Sequence, residues 1–365
     1  MAQKLKILLL GEYSNYFNNL AHGLRALNHE VVLANDGDLY KNYNRDIDLF
    51  GGSKNLYVNT FVRIIKENLA ISKMKGFDIV QIINPNVFAA VANNLYLYKK
   101  ILKNNGSVFL SAVGDDYYWW KAYRDNKFTK SPHLGFLEDT GKEKAHWETH
   151  KGRSDANKFL AHNCKAIIPG SISYQIPYQD FENCAPVILQ PIQISGEQPD
   201  LIDHSKLEVL NVYHGAQLGR YSFKGTPTID VALNQVKKQD RKDIKLIRTD
   251  SLPFKEYLKV ISEAHVLIDQ TNFIEPTMNA LTSMLKGKVV LGGCEPVFME
   301  YHKLKEQPLI NITDHPDSIV KAINDLADNK EKLNQISSTA RAYVLKNHDS
   351  INIAQQFVDC WERYS

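Results

Sequence analysis

The chain has 365 residues, of which 44% are hydrophobic and 23% are charged, which is typical of a globular protein long enough for two domains. The net charge of +3 argues against a dedicated nucleic-acid-binding protein, which would carry a strong basic stripe. The four cysteines are scattered and form no CxxC pair, so we expect reduced thiols in a cytosolic protein and neither a zinc site nor a disulfide framework.

The first residues predict a strand, a helix and a second strand. Residues 6–10 form a continuous apolar run, residues 18–27 place leucines at helical spacing, and residues 30–34 are again apolar. Continuous apolar strands joined by a helix are typical of a parallel sheet covered on both faces, so we expect a Rossmann-like α/β domain. The opening run is too short for a signal peptide or a membrane span, which favours a cytoplasmic protein.

The loop after the first strand begins with Gly11 and Glu12. The next glycine is Gly23, so the GxGxxG motif of dinucleotide-binding proteins is absent. Asp36 follows the second strand and is the residue that would contact a ribose in a dehydrogenase. With a single glycine in the loop, the sequence argues against NAD binding.

The rest of the first half continues to alternate strands and helices. Strands are predicted at 78–83, 107–113, 165–169 and 187–190, and helices at 61–75 and 87–104. Residues 125–155 are rich in Lys, Glu, His and Gly and are predicted to form a mobile excursion. Within it, His146 and His150 lack the glutamate of an HExxH motif, so no metal site is expected there.

Two acids, Asp115 and Asp116, follow the predicted strand 107–113 and precede an aromatic cluster at residues 117–123. Carboxylates beside aromatic rings suit the hydroxyl groups and the faces of a sugar, and paired aspartates also suit a divalent metal ion. The alternative is an ordinary helix amino-terminus whose acids complement the helix dipole.

The second half repeats the pattern after a polar stretch. Residues 192–206 are predicted to be a linker between a domain at 1–191 and a domain at 207–345. The elements predicted beyond the linker are strands at 207–213, 244–247, 266–268 and 289–291, and helices at 227–236, 253–264, 276–286, 316–327, 331–345 and 351–364. Two such halves predict two Rossmann-like domains that face each other across a cleft.

Two polar loops of the second half follow predicted strands. The first contains Arg220 and Lys224, and the second runs from Asp269 to Pro276 before a helix. Ligands of open parallel sheets bind at the carboxyl ends of the strands, where the next helix points its amino-terminus at them. The alternative for the two cations is that they are solvated loop residues.

Three segments of the second half resemble the donor-binding domain of retaining GT-B glycosyltransferases of the group 1 type. The letters GR at 219–220 with KGT at 224–226 resemble the GR…KG loop of the family, and residues 257–269 are similar to its next helix and strand. The letters DQ at 269–270, Gly287 and the apolar strand after it are similar to a subset of the family. The spacing between DQ and Gly287 matches that subset without an alignment gap.

The resemblance implies a GT-B fold whose C-terminal helix, residues 346–365, returns to the N-terminal domain. It implies an enzyme that transfers a sugar from a UDP- or GDP-linked donor to a glycan or a lipid-linked glycan in cell-surface polysaccharide synthesis. The transfer would retain the anomeric configuration and need neither a metal ion nor a cofactor. No nucleic-acid partner is expected, and the slightly basic composition permits a peripheral contact with the inner face of the membrane.

The resemblance also assigns roles to residues. Arg220 and Lys224 would hold the donor diphosphate, since two fixed cations offset the charge of the departing dianion. Glu275 would contact the donor sugar, and Asp115 or Asp116 would orient the acceptor or the sugar. The remaining candidates border the donor or its phosphates: Gly11, Glu12, His214, Asp269, Gln270, Thr277, Asn279 and Thr282.

Two of these positions depart from the family, and the first is Thr277, which with Ile274 stands where the family has small glycines. Thr282 falls where the family carries a second acid that binds the ribose, and a hydroxyl binds a ribose more weakly than a carboxylate does. This departure favours an alternative, which is a nucleotide-sugar epimerase or a catalytically weak glycan-binding protein of the same fold. His214, with Asp269 and Glu275, is a candidate in an epimerase, although a histidine at a strand end can equally be an internal packing residue.

Overall fold

The structure is a computed structural model that describes residues 4–38, 41–53, 55–89, 94–142, 146–194, 201–252 and 254–365. It divides into two compact units: unit 1 consists of Met1–Lys127, Lys144–Gln193 and His348–Ser365, and unit 2 of Phe128–Glu143 and Ile194–Asn347. Phe128–Glu143 therefore groups with unit 2, whereas the sequence placed it in the first domain. The centre of the predicted linker, residues 195–200, lies outside the described residues.

The described strands all pair in parallel and form one sheet in each unit. They are β1 (Lys6–Leu10), β2 (Glu30–Asn35), β3 (Ile47–Asp48), β4 (Ile79–Ile82), β5 (Ser107–Ala112), β6 (Ile167–Pro169), β7 (Leu210–Ala216), β8 (Ile244–Asp250), β9 (Val266–Ile268), β10 (Val289–Gly292) and β11 (Ile310–Asn311). Their central residues are apolar and buried, as expected for sheets that helices cover on both faces.

The described α-helices lie between these strands, except for the last three, which follow β11. They are α1 (Tyr16–Ala26), α2 (Leu56–Ala70), α3 (Asn94–Asn104), α4 (Tyr117–Arg124), α5 (His133–Thr140), α6 (His146–Thr149), α7 (Lys151–Asn163), α8 (Ile172–Gln175), α9 (Thr226–Lys238), α10 (Phe254–Glu263), α11 (Met278–Leu285), α12 (Pro296–Tyr301), α13 (Pro316–Asp328), α14 (Lys330–Asn347) and α15 (Ser350–Tyr364). None of the described helices is both long and apolar enough to cross a membrane.

Strand order places a switch point in each sheet. The sheet of unit 1 has the order β3-β2-β1-β4-β5-β6, so the chain reverses direction across the sheet between β1 and β4. The sheet of unit 2 has the order β11-β10-β9-β7-β8 and reverses between β7 and β9. Both orders belong to doubly wound α/β folds, in which ligands bind outside the carboxyl ends of the strands at the switch point.

The last helix, α15, belongs to unit 1 and packs against α1. A Cβ atom at Gly23 of α1 would lie 2.0 Å from the carbonyl oxygen of Ser350, so the close approach of the two helices needs a glycine there. Deeper in the unit, Trp361 donates from its indole nitrogen to the side-chain oxygen of Gln81 on β4 over 2.8 Å. The predicted return of the C-terminal helix to the N-terminal domain is confirmed.

Several predicted elements differ from the structure. Residues 87–89 of the helix predicted at 87–104 are not helical and α3 begins at Asn94, and the strand predicted at 207–213 is β7, which runs from Leu210 to Ala216. The stretch 125–155, expected to be a mobile excursion, contains α5, α6 and the start of α7, because its turns bury residues such as Trp147. Residues 187–190 are not a strand, because the flanking prolines, Pro186 and Pro191, have no N–H to donate to a neighbouring strand. Helix α2 starts five residues before the predicted 61 because the Asn55 side chain caps it.

Candidate functional site

The loop between β7 and α9 carries the two cations that the sequence assigned to a diphosphate. Arg220 is exposed, and its guanidinium carbon lies 4.6 Å from the centre of the Phe223 ring, whereas Lys224 is half-buried. The loop ends at Gly225, which is the N-cap residue of α9. Both cations therefore precede a helix amino-terminus at the switch point of the sheet, where the helix dipole favours an anion.

Gly225 allows the cation loop to approach the second polar loop. Its φ is +73°, a left-handed conformation that side chains other than that of glycine rarely adopt. A Cβ atom there would lie 1.9 Å from the hydroxyl oxygen of Thr271, which follows β9. The backbone N–H of Thr271 in turn donates to the carbonyl oxygen of Lys224 over 3.1 Å. The two loops that flank the switch point are thus joined directly.

Side chains hold the middle of the cation loop on two sides. The Asp139 carboxylate, on α5, accepts hydrogen bonds from the backbone N–H groups of Ser222 and Phe223 over 2.8 and 3.0 Å. The Asn272 side-chain amide donates to the carbonyl oxygens of the same two residues over 3.1 and 3.3 Å. The peptide groups between Arg220 and Lys224 are therefore fixed from both sides, which limits the positions open to the two cations.

The loop after β9 is organised by Asp269. Its carboxylate is buried and accepts hydrogen bonds from the hydroxyl of Thr277 over 2.7 Å and from the amide of Asn279 over 3.4 Å. Thr277 is also the N-cap of α11, and the Asn279 side-chain oxygen accepts a hydrogen bond from the hydroxyl of Tyr257. These predicted donor-site residues thus lie together, and their mutual hydrogen bonds fix the start of α11.

The other candidates of unit 2 lie in different environments. His214 is fully buried, with Nδ1 3.0 Å from the Ile268 carbonyl oxygen and Nε2 3.3 Å from the Thr226 hydroxyl. Burial lowers the pKa of His214, and the nearby Lys224 cation lowers it further, so the ring is a neutral packing group. The structure thus favours the alternative in which His214 is an internal histidine.

Three further candidates of unit 2 surround α11. Gln270 and Glu275 are buried at the carboxyl end of β9 and in the loop that follows it. Thr282 is exposed one turn into α11, and its hydroxyl donates to the Met278 carbonyl oxygen over 2.8 Å. The Thr282 hydroxyl thus has a partner within its own helix, and its proposed contact with a ribose stays a prediction.

In unit 1, Gly11 and Glu12 lie at the carboxyl end of β1, beside the switch point. Gly11 has a φ of +97°, and a Cβ atom there would lie 2.4 Å from Ile83 at the end of β4. The Glu12 carboxylate is 2% exposed and accepts hydrogen bonds from the backbone N–H groups of Phe17 and Asn18 at the start of α1. Burial nevertheless raises the pKa of Glu12 to about 7.

The two aspartates after β5 are not equivalent. The Asp116 carboxylate is buried; one oxygen accepts from the backbone N–H of Trp119 over 2.8 Å and the other from the hydroxyl of Tyr178 over 2.6 Å. Asp116 is therefore the N-cap of α4, which matches the helix-terminus alternative. Burial raises its pKa to about 6. Asp115 is only half-buried, so its side chain is the more accessible of the pair.

Two residues that the sequence did not single out lie at the same edge of unit 1. The Tyr13 ring packs on Gly114, where a Cβ atom would lie 3.0 Å from it, and burial raises the pKa of the phenol above its usual range. Burial lowers the pKa of Arg153, near the start of α7, and the positive charge of Arg63 lowers it further. No ion pair joins Arg153 to a described residue. Arg153 lay in the stretch predicted to be mobile, so no sequence signal identified it.

Within the described ranges, no group of three or more His, Cys, Asp and Glu side chains is arranged to hold a metal ion.

Comparisons with solved structures identify the fold. HepE of Anabaena in complex with UDP-glucose matches with a TM-score of 0.61 and 14% identity, over 98% of this chain and 100% of that chain. The sucrose-phosphate synthase of Thermosynechococcus elongatus matches with a TM-score of 0.64 and 12% identity, over 99% of both chains. This chain has the GT-B fold. The GT-B fold predicted from the sequence is thus confirmed, whereas the site residues and the cleft between the units stay predictions.

A GT-B fold also serves other chemistry. A putative UDP-N-acetylglucosamine 2-epimerase from Listeria monocytogenes matches with a TM-score of 0.55 and 11% identity, over 98% of this chain and 95% of that chain. No family model and no curated protein matches the sequence.

Proposed function

We propose that this protein is a glycosyltransferase that moves a sugar from a UDP- or GDP-linked donor to a glycan or lipid-linked glycan in cell-surface polysaccharide synthesis. The observation that carries the proposal is the fixed loop with Arg220 and Lys224 before the amino-terminus of α9, at the switch point of unit 2. The HepE structure contains UDP-glucose, which supports a UDP-linked donor. A contact with the inner face of the membrane belongs to the same proposal.

The chemistry explains why this loop suits a glycosyl transfer. As the bond between the sugar and the diphosphate breaks, negative charge develops on the departing diphosphate oxygen. Arg220 and Lys224 flank the peptide groups of Ser222 and Phe223 that Asp139 and Asn272 hold, and their charges offset this charge. The positive end of the α9 helix dipole adds to the effect, so we propose a transfer without a metal ion or other cofactor. We further propose that the anomeric configuration is retained.

We assign the remaining roles by accessibility and contact. Glu275, buried in the loop after β9, is the proposed partner of the donor sugar. Asp269, Thr277 and Asn279 hold that loop in shape by their mutual hydrogen bonds. Unit 1 is the proposed acceptor unit, with Asp115 and not Asp116 as the acceptor contact, because Asp115 is half-buried whereas Asp116 is 1% exposed.

The test is a thermal-shift titration with UDP, GDP and ADP in Mg²⁺ and in EDTA, followed by turnover assays. A ligand that binds the native state raises the melting temperature as its concentration passes the dissociation constant. We expect one nucleotide to raise it equally in Mg²⁺ and in EDTA. Arg220→Ala should lower turnover about 100- to 1000-fold, the scale for losing one fixed group that stabilises developing charge.

Matched variants make this test specific. Arg363→Ala removes an exposed cation from α15 and Lys237→Ala removes one from the last turn of α9, at the opposite end of that helix from the loop, and both should keep wild-type turnover. Lys224→Ala should behave like Arg220→Ala. Wild-type turnover in both loop variants would refute the assignment of the diphosphate site.

The similarity to a putative 2-epimerase favours one second candidate, a nucleotide-sugar epimerase. Incubation with a nucleotide sugar alone, followed by NMR, separates the two functions. An epimerase converts the sugar without any acceptor. A transferase leaves the sugar unchanged and releases the nucleoside diphosphate when an acceptor is added.

A further inference from the structure

Helix α2 of unit 1 leaves a row of apolar side chains exposed along one side. Its exposed members are Tyr57 (85%), Val58 (50%), Phe61 (65%), Ile65 (44%) and Leu69 (70%). The four-residue spacing of Tyr57, Phe61, Ile65 and Leu69 places them on one side of the helix. The other side faces the unit, where Ala70 is buried. A contiguous exposed apolar row of this kind marks a contact surface.

Lysines lie at the end of α2 that carries Leu69. The chain continues from α2 through a 3-10 turn, Ile71–Lys73, and both Lys73 and Lys75 are exposed. The carboxyl end of α3 adds the exposed Lys103, because the backbone N–H of Gly76 donates to the carbonyl oxygen of Asn104 over 3.0 Å. The apolar row thus ends in a group of cations contributed by two segments.

The exposed acid next to these cations is Asp78, whose carboxylate accepts a hydrogen bond from the backbone N–H of Lys6 over 2.8 Å, so three lysines face one aspartate. Residues 55–77 and 94–106 contain one acid, Glu67, which is 1% exposed and accepts hydrogen bonds from Ala89 and Arg63. Lys66 of α2 lies 2.6 Å from the Asp48 carboxylate, so its charge is already offset and it is not part of the group. The surface is therefore apolar along α2 and positive at its end.

We infer that this surface, which we call the α2 face, docks on an anionic lipid bilayer. The α2 face comprises Tyr57, Val58, Phe61, Ile65 and Leu69 together with Lys73, Lys75 and Lys103. An amphipathic helix lies in the plane of a bilayer when its apolar side enters the acyl boundary and lysines meet anionic headgroups. A second copy of the chain would bring two positive surfaces together, so charge complementarity favours the anionic occupant.

The test is co-sedimentation with vesicles of phosphatidylcholine alone or of phosphatidylcholine with phosphatidylglycerol, without nucleotide or acceptor. The wild-type chain should bind the vesicles that contain phosphatidylglycerol, and high salt should weaken the binding because it screens the lysines. Lys73→Ala/Lys75→Ala should weaken binding by about fivefold per lysine. Phe61→Ser/Leu69→Ser should weaken it by about tenfold or more, since two large apolar side chains no longer enter the bilayer.

Matched controls come from exposed residues on other helices. Val231→Ser/Ile351→Ser and Lys237→Ala/Lys238→Ala remove the same kinds of side chain from α9 and α15 and should bind vesicles like the wild type. Melting temperatures check that every variant is folded. The inference is refuted if the wild-type chain does not bind anionic vesicles, or if the α2-face variants bind them as the controls do.

A second copy of the chain is the competing occupant, and sedimentation velocity without vesicles detects it. A wild-type dimer that Phe61→Ser/Leu69→Ser converts to a monomer, with no vesicle binding by either, would also overturn the inference. The inference rests on the membrane contact included in the proposed function and assigns it to the α2 face. These measurements need neither a donor nor turnover, so they can fail while the proposed transferase activity holds, and the reverse.

Discussion

Glu12 illustrates at the scale of one residue how burial can outweigh hydrogen bonding. Its carboxylate accepts from two backbone N–H groups and from the Asn18 amide, at 2.6 Å, and each of these bonds stabilises the charged form. Removal of water from the buried group acts in the opposite direction and is the larger effect, and the nearby Asp38 adds repulsion. The pKa of Glu12 therefore rises to about 7 instead of falling.

This pKa predicts a pH-dependent loss of stability. The folded chain keeps the Glu12 proton up to pH about 7, whereas an ordinary glutamate releases it near 4.5, so the free energy of unfolding falls as pH rises through this window. Glu12→Gln has no such proton to lose, so its free energy of unfolding should not fall in this window. Above pH 7 the difference between variant and wild type should shift in favour of the variant by on the order of 1–3 kcal/mol. Urea unfolding at a series of pH values measures it, with the exposed Glu30→Gln as the control. Parallel pH curves for wild type and Glu12→Gln would contradict the assignment.

Residue identity alone did not separate catalytic candidates from structural ones. Asp115 and Asp116 are neighbours of the same type, and only the structure shows that Asp116 caps α4 and binds Tyr178. His214 looked equally suited to a site or to the interior, and the structure shows that it is fully buried, which favours the interior. For Asp116, the partner Tyr178 lies 62 positions away in the sequence. For His214, the informative observation is burial, which no local pattern reports.

At the scale of elements, the segment Phe128–Glu143 is the main finding. In the sequence it lies between two stretches of unit 1, yet it groups with unit 2. There Lys130 donates to the carbonyl oxygen of Ile312 over 2.8 Å. Gly135 of α5 packs so closely on the cation loop that a Cβ atom there would lie 2.2 Å from the Ser222 carbonyl oxygen. The segment thereby brings Asp139 to the loop that presents Arg220 and Lys224.

We predict that Asp139 positions the cation loop. In Asp139→Ala the N–H groups of Ser222 and Phe223 lose their acceptor, and a charged acceptor of this kind contributes roughly 1.5–3 kcal/mol per bond. A loosened loop should bind the nucleotide about tenfold or more weakly, which calorimetric titration measures. Glu138→Ala, which removes the adjacent exposed acid of α5, should bind like the wild type. Equal affinities in the two variants would contradict the positioning role.

At the scale of the whole molecule, the two ends of the chain meet in unit 1. Helix α15 lies on α1, and its Trp361 reaches the core between Phe357 and Phe109, with ring centres 5.8 and 6.3 Å away. The sheet strands and the last helix are therefore parts of one core, although more than 250 residues separate β4 from α15 along the chain. The core of unit 1 is therefore incomplete without α15.

This arrangement predicts a large effect of a C-terminal substitution on unit 1. Trp361→Ala removes a buried indole and leaves the Gln81 side-chain oxygen without its donor, so unit 1 should lose about 3–5 kcal/mol of stability. The urea-unfolding transition of unit 1 measures the loss. Glu362→Ala, at the next and exposed position, should unfold like the wild type. An unchanged transition in Trp361→Ala would show that α15 is not part of the core of unit 1.

Local pattern was sufficient for most of the elements and for the loops that follow the strands. The apolar runs of β1, β4, β5, β7 and β9 and the helical spacing of α1 and α9 repeat over a few residues, so a short stretch of sequence reports them. The same holds for the positions of Arg220 and Lys224 after β7 and of Asp269 after β9. The predicted α/β class and Rossmann-like halves followed from these patterns and are confirmed.

Tertiary structure alone decided the strand orders, the grouping of Phe128–Glu143 with unit 2, and the row of exposed side chains on α2. The bond from Ser222 to Asp139 spans 83 positions, and the bond from Trp361 to Gln81 spans 280. Such contacts arise from loop closure and from the fit of one packed surface on another, which periodicity within a short stretch does not report. Exposure is likewise a property of what the rest of the chain covers, so the same apolar residues of α2 were compatible with a buried helix until their neighbours were placed.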